Sequence, residues 1–306
     1  MKELVKRLEE TKKNKTTVIC SLIMLLTAVL WGFGFVVQSV AMNTIEPITF
    51  NGIRNLLGAI SVLPVCYTSS QRNKSPVPLT KEEKKKERKT LITGGVCCGL
   101  CLFAGSVLQQ TGLVYTTPGK AGFITALYIV LVPVFGLFLH KKVGFKAWIG
   151  VGIAVAGLYL LCVSENLKIE KGDFLVFLCA FGYSAHILTI DHFSKKTDGV
   201  KMSCIQFLVC GLLCIPFMFI FEHPTLSAIK GSWLTIAYAG VFSCGMAFTL
   251  QIVAQKHLNP TVASLIMSLE SCFAALFGWL VLNQTMSGRE LIGVALMAVA
   301  IVLAQI

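Results

Sequence analysis

Residues 260–282 form an apolar segment that reads PTVASLIMSLESCFAALFGWLVL. It opens with Pro260, which suits the first turn of a helix because its missing N–H would have no partner there. A helix crosses the roughly 30 Å hydrocarbon core of a bilayer with about 20 apolar residues, each rising 1.5 Å. We therefore predict one membrane-spanning helix, with Glu270 about 15 Å from its start and near the bilayer midplane.

An earlier segment, residues 118–139, reads PGKAGFITALYIVLVPVFGLFL and repeats this pattern. A shift of 142 residues superposes Gln109 on Gln251, Pro118 on Pro260, Ala121 on Ala263, Leu127 on Leu269 and Phe135-Gly136 on Phe277-Gly278. Near the start of each half, Gly32 matches Gly182 with a slightly larger offset. The agreement of proline, glycine and glutamine positions indicates an internal repeat.

The whole chain has the composition of a polytopic membrane protein. Of its 306 residues 55% are hydrophobic and 14% are charged, and its mean hydropathy is +0.75. Soluble domains carry about 25% charged residues, so that class is excluded. Ten membrane-spanning helices are predicted: residues 17–40, 46–67, 91–113, 118–139, 147–163, 172–191, 202–221, 232–254, 260–282 and 288–305.

These helices divide into two five-helix repeats, residues 17–163 and 172–306, preceded by a basic cytoplasmic segment, residues 1–16. Five is an odd number, so the second half must enter the membrane from the opposite side. The predicted fold class is therefore an all-α polytopic membrane protein of ten transmembrane helices, arranged as two inverted five-helix repeats. In such proteins the binding site lies near the midplane between the repeats.

Lysine and arginine predict the orientation, because cytoplasmic loops are enriched in both. With the N-terminus inside, 21 of the 27 fall on the cytoplasmic side and 5 on the other, and Arg54 lies inside a span. We predict a multi-pass protein of the cell membrane with both termini in the cytoplasm.

Several motifs make the chain resemble the EamA-type family of the drug/metabolite transporter superfamily. They are Trp31-Gly-Phe-Gly-Phe-Val36, Glu46-Pro-Ile-Thr-Phe50 leading to Arg54, Gly112-Leu-Val-Tyr-Thr-Thr117, Ala121-Gly-Phe-Ile-Thr125, Pro260-Thr-Val-Ala-Ser-Leu265 and Leu269-Glu-Ser271. The resemblance implies a secondary carrier of small organic solutes such as metabolites, amino acids or drugs, often an exporter. It also implies a central cavity between the third, fourth, eighth and ninth helices, to which the first and sixth contribute.

Other function classes have little support in the sequence. The net charge of +12 lies between apolar segments and forms no basic groove, so we expect no nucleic acid partner. The twelve cysteines lie in apolar segments, and Cys98-Gly-Leu-Cys101 has no second ligand pair, so no metal is expected. We find no ATP-binding GxxxxGK[ST] run and expect no cofactor.

Two alternatives stay open: a membrane enzyme acting on a lipid-linked substrate, and a non-transporting scaffold or sensor. The oligomeric state is open, with a homodimer as one alternative.

Glu270 is the first candidate site residue. An acidic residue at the bilayer centre costs about 2.5–3.5 kcal/mol, so it should face the cavity. Desolvation favours the neutral acid, and a midplane carboxyl that gains and loses a proton suits proton coupling. The alternative is a permanently protonated Glu270, hydrogen-bonded to a neighbouring helix.

Arg54 is also deep in its helix. It is interpreted first as a structural tie to exposed carbonyls, and alternatively as a partner of Glu270 or of a substrate carboxylate.

The remaining candidates are polar or aromatic. Tyr128 is the repeat counterpart of Glu270, and Gln109 is that of Gln251, so these residues are expected to face one another across the cavity. With Gln110 they are candidate hydrogen-bond partners of the solute, within walls formed by Trp31, Tyr183 and Trp279. His186 is a candidate proton relay. The alternative for each is hydrogen bonding or packing between helices.

Overall fold

The computed structural model describes residues 2–72, 80–116, 118–141, 143–162, 170–282 and 287–305, and all regular structure in these ranges is helical. The all-α class predicted from the sequence is thus confirmed. In chain order the helices are α1 (Lys2–Ala41), α2 (Pro47–Arg72), α3 (Lys81–Gly112), α4 (Pro118–Thr125), α5 (Tyr128–Phe138), α6 (Phe145–Cys162), α7 (Lys171–Phe193), α8 (Gly199–Phe221), α9 (Leu226–Gly231), α10 (Trp233–Tyr238), the π-helical π1 (Ala239–Phe248), α11 (Thr249–Gln255), α12 (Pro260–Met267), α13 (Glu270–Leu282) and α14 (Gly288–Gln305).

Eight helical segments in these ranges are long and apolar enough to cross a membrane. They correspond to eight of the ten predicted spans. The other two, residues 147–163 and 288–305, coincide with α6 and α14, which are not among the eight. The count of ten membrane crossings therefore stays a prediction.

Helices α1 and α3 begin earlier than the predicted spans. Helix α1 starts at Lys2, inside the predicted basic segment 1–16, and α3 starts at Lys81 rather than near residue 91. A capping box explains the second start: the backbone N–H of Glu83 donates to the Thr80 hydroxyl, while the Glu83 carboxylate accepts from the Thr80 N–H. These reciprocal bonds satisfy amide groups that a helix start leaves free.

Large apolar side chains cover much of the outer surface. Phe138 is 77% exposed, Val302 59% and Leu212 56%. In water such a surface would be strongly unfavourable, whereas hydrocarbon tails are as apolar as the side chains themselves. The exposed apolar surface is what a lipid-embedded protein requires.

The contacts at the helix ends define two opposite faces of the bundle. Helices α2 and α8 are antiparallel, because the start of α2 meets Glu222 at the end of α8, while Ser69 near the end of α2 donates to Asp198 at the start of α8. Helix α4 starts beside the start of α7, where Lys120 pairs with Asp173. Helix α12 starts on the other face, because α11, which precedes it, meets Gly199 at the start of α8. The two repeated segments thus run in opposite directions through the bundle.

Two predicted spans are broken helices. Residues 118–139 form α4 and α5, separated at Ala126-Leu127, and residues 260–282 form α12 and α13, separated at Ser268-Leu269. At each break the backbone switches to bonds between residues three apart: Leu127 N–H donates to Ile124 O (3.2 Å), and its repeat counterpart Leu269 N–H donates to Ile266 O (3.2 Å). The predicted continuous helices are thus interrupted at equivalent positions in the two halves.

The predicted span 232–254 is also irregular. It consists of α10, the π-helical segment π1 and α11. A π-helix widens the turn, and such segments are frequent at functional sites. Here the carbonyl of Ser243 accepts a hydrogen bond from Trp31 Nε1 (3.2 Å) instead of pointing only along its own helix. This contact joins the first helix of one half to the third span of the other.

Glycines at matching positions of the repeat allow two close helix contacts. A Cβ atom at Gly32 in α1 would lie 2.9 Å from the backbone oxygen of Glu270. A Cβ at Gly182 in α7 would lie 2.7 Å from the backbone nitrogen of Gly105 in α3. Backbone atoms cannot yield as a flexible side chain can, so these positions need glycine for packing.

We expect Gly182→Ala to destabilise the protein because the new methyl group would overlap the backbone of α3, and overpacking of this kind costs about 1–3 kcal/mol. The measurement is the Tm in detergent. Gly152→Ala is the control, since no atom lies within 4 Å of a Cβ at Gly152, so its Tm should be unchanged or higher. Equal Tm values for the two variants would contradict the proposed packing role of Gly182.

Candidate functional site

A central cavity lies between the two halves of the chain. Its empty space is about 510 Å³, counting the part that is open to the outside. Eight of the predicted site residues line it: Trp31, Arg54, Gln109, Tyr128, Tyr183, His186, Gln251 and Glu270. The cavity thus combines aromatic walls with a small set of buried polar and ionisable groups.

The two helix breaks meet in this cavity. Tyr128 is the first residue of α5 and Glu270 is the first residue of α13, so each follows a break. The Tyr128 hydroxyl donates to Glu270 Oε1 over 3.0 Å, and both side chains are buried. Nearby, the Ser271 hydroxyl donates to the Gly122 carbonyl over 3.1 Å. The repeat counterparts therefore touch at the centre, where the breaks expose them to the cavity rather than to lipid.

A hydrogen-bond chain runs along one wall. The Tyr183 hydroxyl donates to Gln109 Oε1 over 2.9 Å, and Gln109 Nε2 donates to Thr125 Oγ1 over 3.0 Å. Thr125 ends α4, so the chain connects α7 and α3 to the break after α4. These polar groups hold one another in place and present fixed donors and acceptors beside the cavity.

Arg54 donates hydrogen bonds to neutral side chains. Its Nη1 donates to Gln38 Oε1 over 2.7 Å, and its Nε donates to Asn51 Oδ1 over 3.0 Å. Arg54 and Glu270 line the same cavity, but no ion pair within 4.0 Å joins them, although both side chains are described. Direct pairing of the two, one of the predicted alternatives, is therefore absent from this conformation.

His186 and Gln251 contribute two further polar positions. His186 is buried in α7, its Nε2 lies 2.9 Å from Gln206 Oε1, and its ring packs edge-on against Phe248. Gln251 Nε2 donates to Gln255 Oε1 over 3.3 Å, while Gln251 Oε1 has no hydrogen-bond partner among the described residues. Each side chain is thus held by one hydrogen bond within the protein, and both residues line the cavity.

Two predicted site residues do not reach the cavity. Trp279 in α13 is 48% exposed at the outer surface, so it does not form a wall. Gln110 is fully buried and donates to the Met42 sulfur, whereas its neighbour Gln109 faces the cavity. Consecutive helical residues point about 100° apart, so Gln110 can be turned away while Gln109 lines the cavity.

The structure adds cavity residues that sequence reasoning missed. They are Phe35, Gln38, Thr125, Ile187, Ser243, Phe248 and Met267. Gln38 carried a usable signal, since a polar residue inside the first apolar span lies seven positions, or about two turns, after Trp31. Phe248 packs against Trp31 with ring centroids 4.7 Å apart. No pattern in an apolar helix marks such a residue before its neighbours are known.

Ion pairs lie at the two ends of the contact between α7 and the broken helix α4–α5. At one end Asp173 forms an ion pair with Lys120 (3.6 Å) and accepts hydrogen bonds from the Thr116 hydroxyl and the Glu170 N–H. At the other end Asp191 binds Lys141 and, over 2.8 Å, Lys195. Both aspartates are buried. The contact between α7 and α4–α5 thus carries one ion pair at each face of the bundle.

Comparison with known proteins identifies the family. The EamA-like transporter family matches residues 18–163 and again residues 170–305. An uncharacterized transporter of Archaeoglobus fulgidus is 28% identical over 92% of this chain and 84% of its own length. The uncharacterized inner membrane transporter YedA of Escherichia coli K12 is 21% identical over 90% and 87%.

A solved crystal structure of a protein has the same fold. It superposes with a TM-score of 0.74 over 93% of this chain and 96% of that chain, at 17% identity. The two family matches occupy the two halves of the chain, in agreement with its internal repeat. The chain is a multi-pass membrane protein that belongs to the EamA-like transporter family.

Proposed function

We propose that the protein is a secondary transporter that exports small organic solutes by alternating access, with ten membrane crossings and both termini in the cytoplasm. The single observation that carries this proposal is the central cavity at the meeting point of two oppositely directed broken helices. Broken helices at the interface of inverted repeats form substrate sites in secondary transporters. The names of the relatives indicate a transporter rather than an enzyme.

Alternating access needs a cavity that opens to one side at a time. The Lys120–Asp173 and Lys141–Asp191 pairs join α4 and α5 to α7 at opposite faces. Breaking one pair would free one end of the contact while the other end holds. These two ion pairs are therefore our proposed gates, and movement of α4–α5 against α7 is the proposed opening motion.

We expect Asp191→Asn to increase hydrogen–deuterium exchange of the amides near Lys141, while exchange near Thr116 stays as in the wild type. Asp173→Asn should give the reverse pattern. The physical reason is that each substitution removes the anion that holds one end of α4–α5. The measurement is exchange followed by mass spectrometry in detergent. Parallel changes at both ends in both variants would contradict independent gates.

Glu270 is the proposed proton-coupling group. It is buried, it lines the cavity, and no cation lies within 4.0 Å of it among the described residues. A carboxyl can exchange a proton with water that enters from an open side of the cavity. The Tyr128 hydroxyl donates a hydrogen bond to it. Proton binding and release would then accompany the change of access.

We expect Glu270→Gln to abolish the response of solute uptake to an imposed pH gradient in proteoliposomes, because the amide cannot exchange a proton. Candidate solutes are screened first with the wild-type protein. Tyr128→Phe should keep the response, because the carboxyl that exchanges the proton remains, and it should change the transport rate by at most about 13-fold, the equivalent of one hydrogen bond of about 1–1.5 kcal/mol.

Glu290→Gln is the matched control. Glu290 caps the start of α14 through Ser287, far along the chain from the cavity lining, so its removal should leave the pH response intact. If gradient-driven transport persists in Glu270→Gln, the coupling proposal is wrong. If the wild type shows no solute flux at all, the transport proposal is wrong.

A further inference from the structure

Arg54 is a buried cation with no partner of opposite charge within 4.0 Å among the described residues. Asp173 and Asp191 each bind a lysine. Glu222 accepts from the N–H groups of Ile48 and Thr49, each over 2.7 Å, at the start of α2. Arg54 is only 4% exposed, and its two protein partners are neutral amide oxygens. Within the described part of the chain, its positive charge is therefore not compensated by an ion pair.

The guanidinium has one nitrogen, Nη2, without a hydrogen-bond partner among the described residues. Nε and Nη1 donate to Asn51 and Gln38, whereas Nη2 donates to no acceptor among the described residues. The Nη2 amino group carries N–H donors that the protein leaves unused. Arg54 lines the central cavity, so a solute in the cavity can approach its guanidinium.

The surrounding helices fix the position of the Arg54 guanidinium. Asn51, which orients Arg54, donates from Nδ2 to the Ser106 hydroxyl over 3.0 Å, and so it is tied to α3. The guanidinium carbon lies 5.5 Å from the centre of the Phe50 ring, an arrangement in which the ring face attracts the cation. Gln38 holds the other side from α1. Such fixed donors bind a ligand without first paying to order a flexible side chain.

We propose that Arg54 is an anion subsite of the cavity and that the transported solute carries a carboxylate, or an equivalent oxyanion, that binds Nη2 of its guanidinium. A hydrogen bond from Nη2 to a carboxylate oxygen would be charge-assisted, and such bonds are stronger than neutral ones. The role of a structural tie explains the bonds of Nε and Nη1 but leaves Nη2 and the charge unexplained. This inference rests on the proposed transport function and names the class of its substrate.

The test uses matched carboxylates and amides as probes of the purified full chain in detergent. Acetate and 4-methylpentanoate should raise the Tm by about 2–4 °C at saturating concentration, because a ligand that binds the folded form stabilises it. Acetamide and 4-methylpentanamide have the same shape without the charge and should produce no shift.

Three variants locate the effect. Arg54→Gln should lose the carboxylate shift, Arg54→Lys should keep a smaller shift because it retains charge without the fork, and Arg289→Gln should respond as the wild type does. Arg289 stacks over Tyr159 and is not part of the cavity lining. Where Arg54→Gln does not fold, mass spectrometry of phenylglyoxal labelling in the wild type replaces it, and the carboxylates, unlike the amides, should protect Arg54.

Several outcomes would overturn the subsite. They are equal shifts from carboxylates and amides, no shift from either, a carboxylate shift that survives in folded Arg54→Gln, or labelling of Arg54 that carboxylates do not reduce. Gradient-driven transport of a neutral solute together with one of these outcomes would remove the subsite and leave the proposed function standing. A carboxylate shift without any solute flux would remove the proposed function and leave the binding site.

Discussion

The need to satisfy backbone polar groups away from water constrains the whole structure. In hydrocarbon an unpaired N–H or C=O costs several kcal/mol, so irregular backbone is tolerated only inside the protein or beside a water-filled cavity. The breaks at Ala126-Leu127 and Ser268-Leu269 obey this rule, because both lie at the centre of the bundle and replace the missing helical bonds with bonds between residues three apart. The cavity exists where these two breaks meet.

The same constraint explains the chemistry of the cavity. A carboxyl such as Glu270 is too costly to face lipid, and the Tyr128 hydroxyl at the facing break supplies its hydrogen bond. Gln109, Thr125 and Tyr183 satisfy one another along the wall. Arg54 is held by Asn51 and Gln38. The polar groups are therefore concentrated in one place, where each is partly satisfied by the protein and partly available to a solute.

At the two faces of the bundle, charged side chains form ion pairs. Asp173 and Asp191 lie at opposite ends of α7, and each binds a lysine at one end of the broken helix α4–α5. Buried ion pairs contribute little net stability, since desolvation offsets much of their attraction, but they favour one arrangement of the groups they join. Their placement at the two ends of the contact suits parts that separate and rejoin. The packed glycines, such as Gly182 against Gly105, keep the rest of the α3–α7 contact close.

The sequence by itself determined the all-helical class, the internal repeat and most of the cavity residues, because hydropathy and residue spacing are properties of single helices. Pairing Tyr128 with Glu270 required only the repeat offset of 142 residues. The tertiary structure alone decided what depends on contacts between distant segments. It broke the helices before Tyr128 and Glu270, turned Trp279 to the outside and Gln110 away from the cavity, and gave Arg54 neutral partners instead of Glu270. A side chain's depth can be counted along a helix, but the direction it faces is set by the helices packed around it.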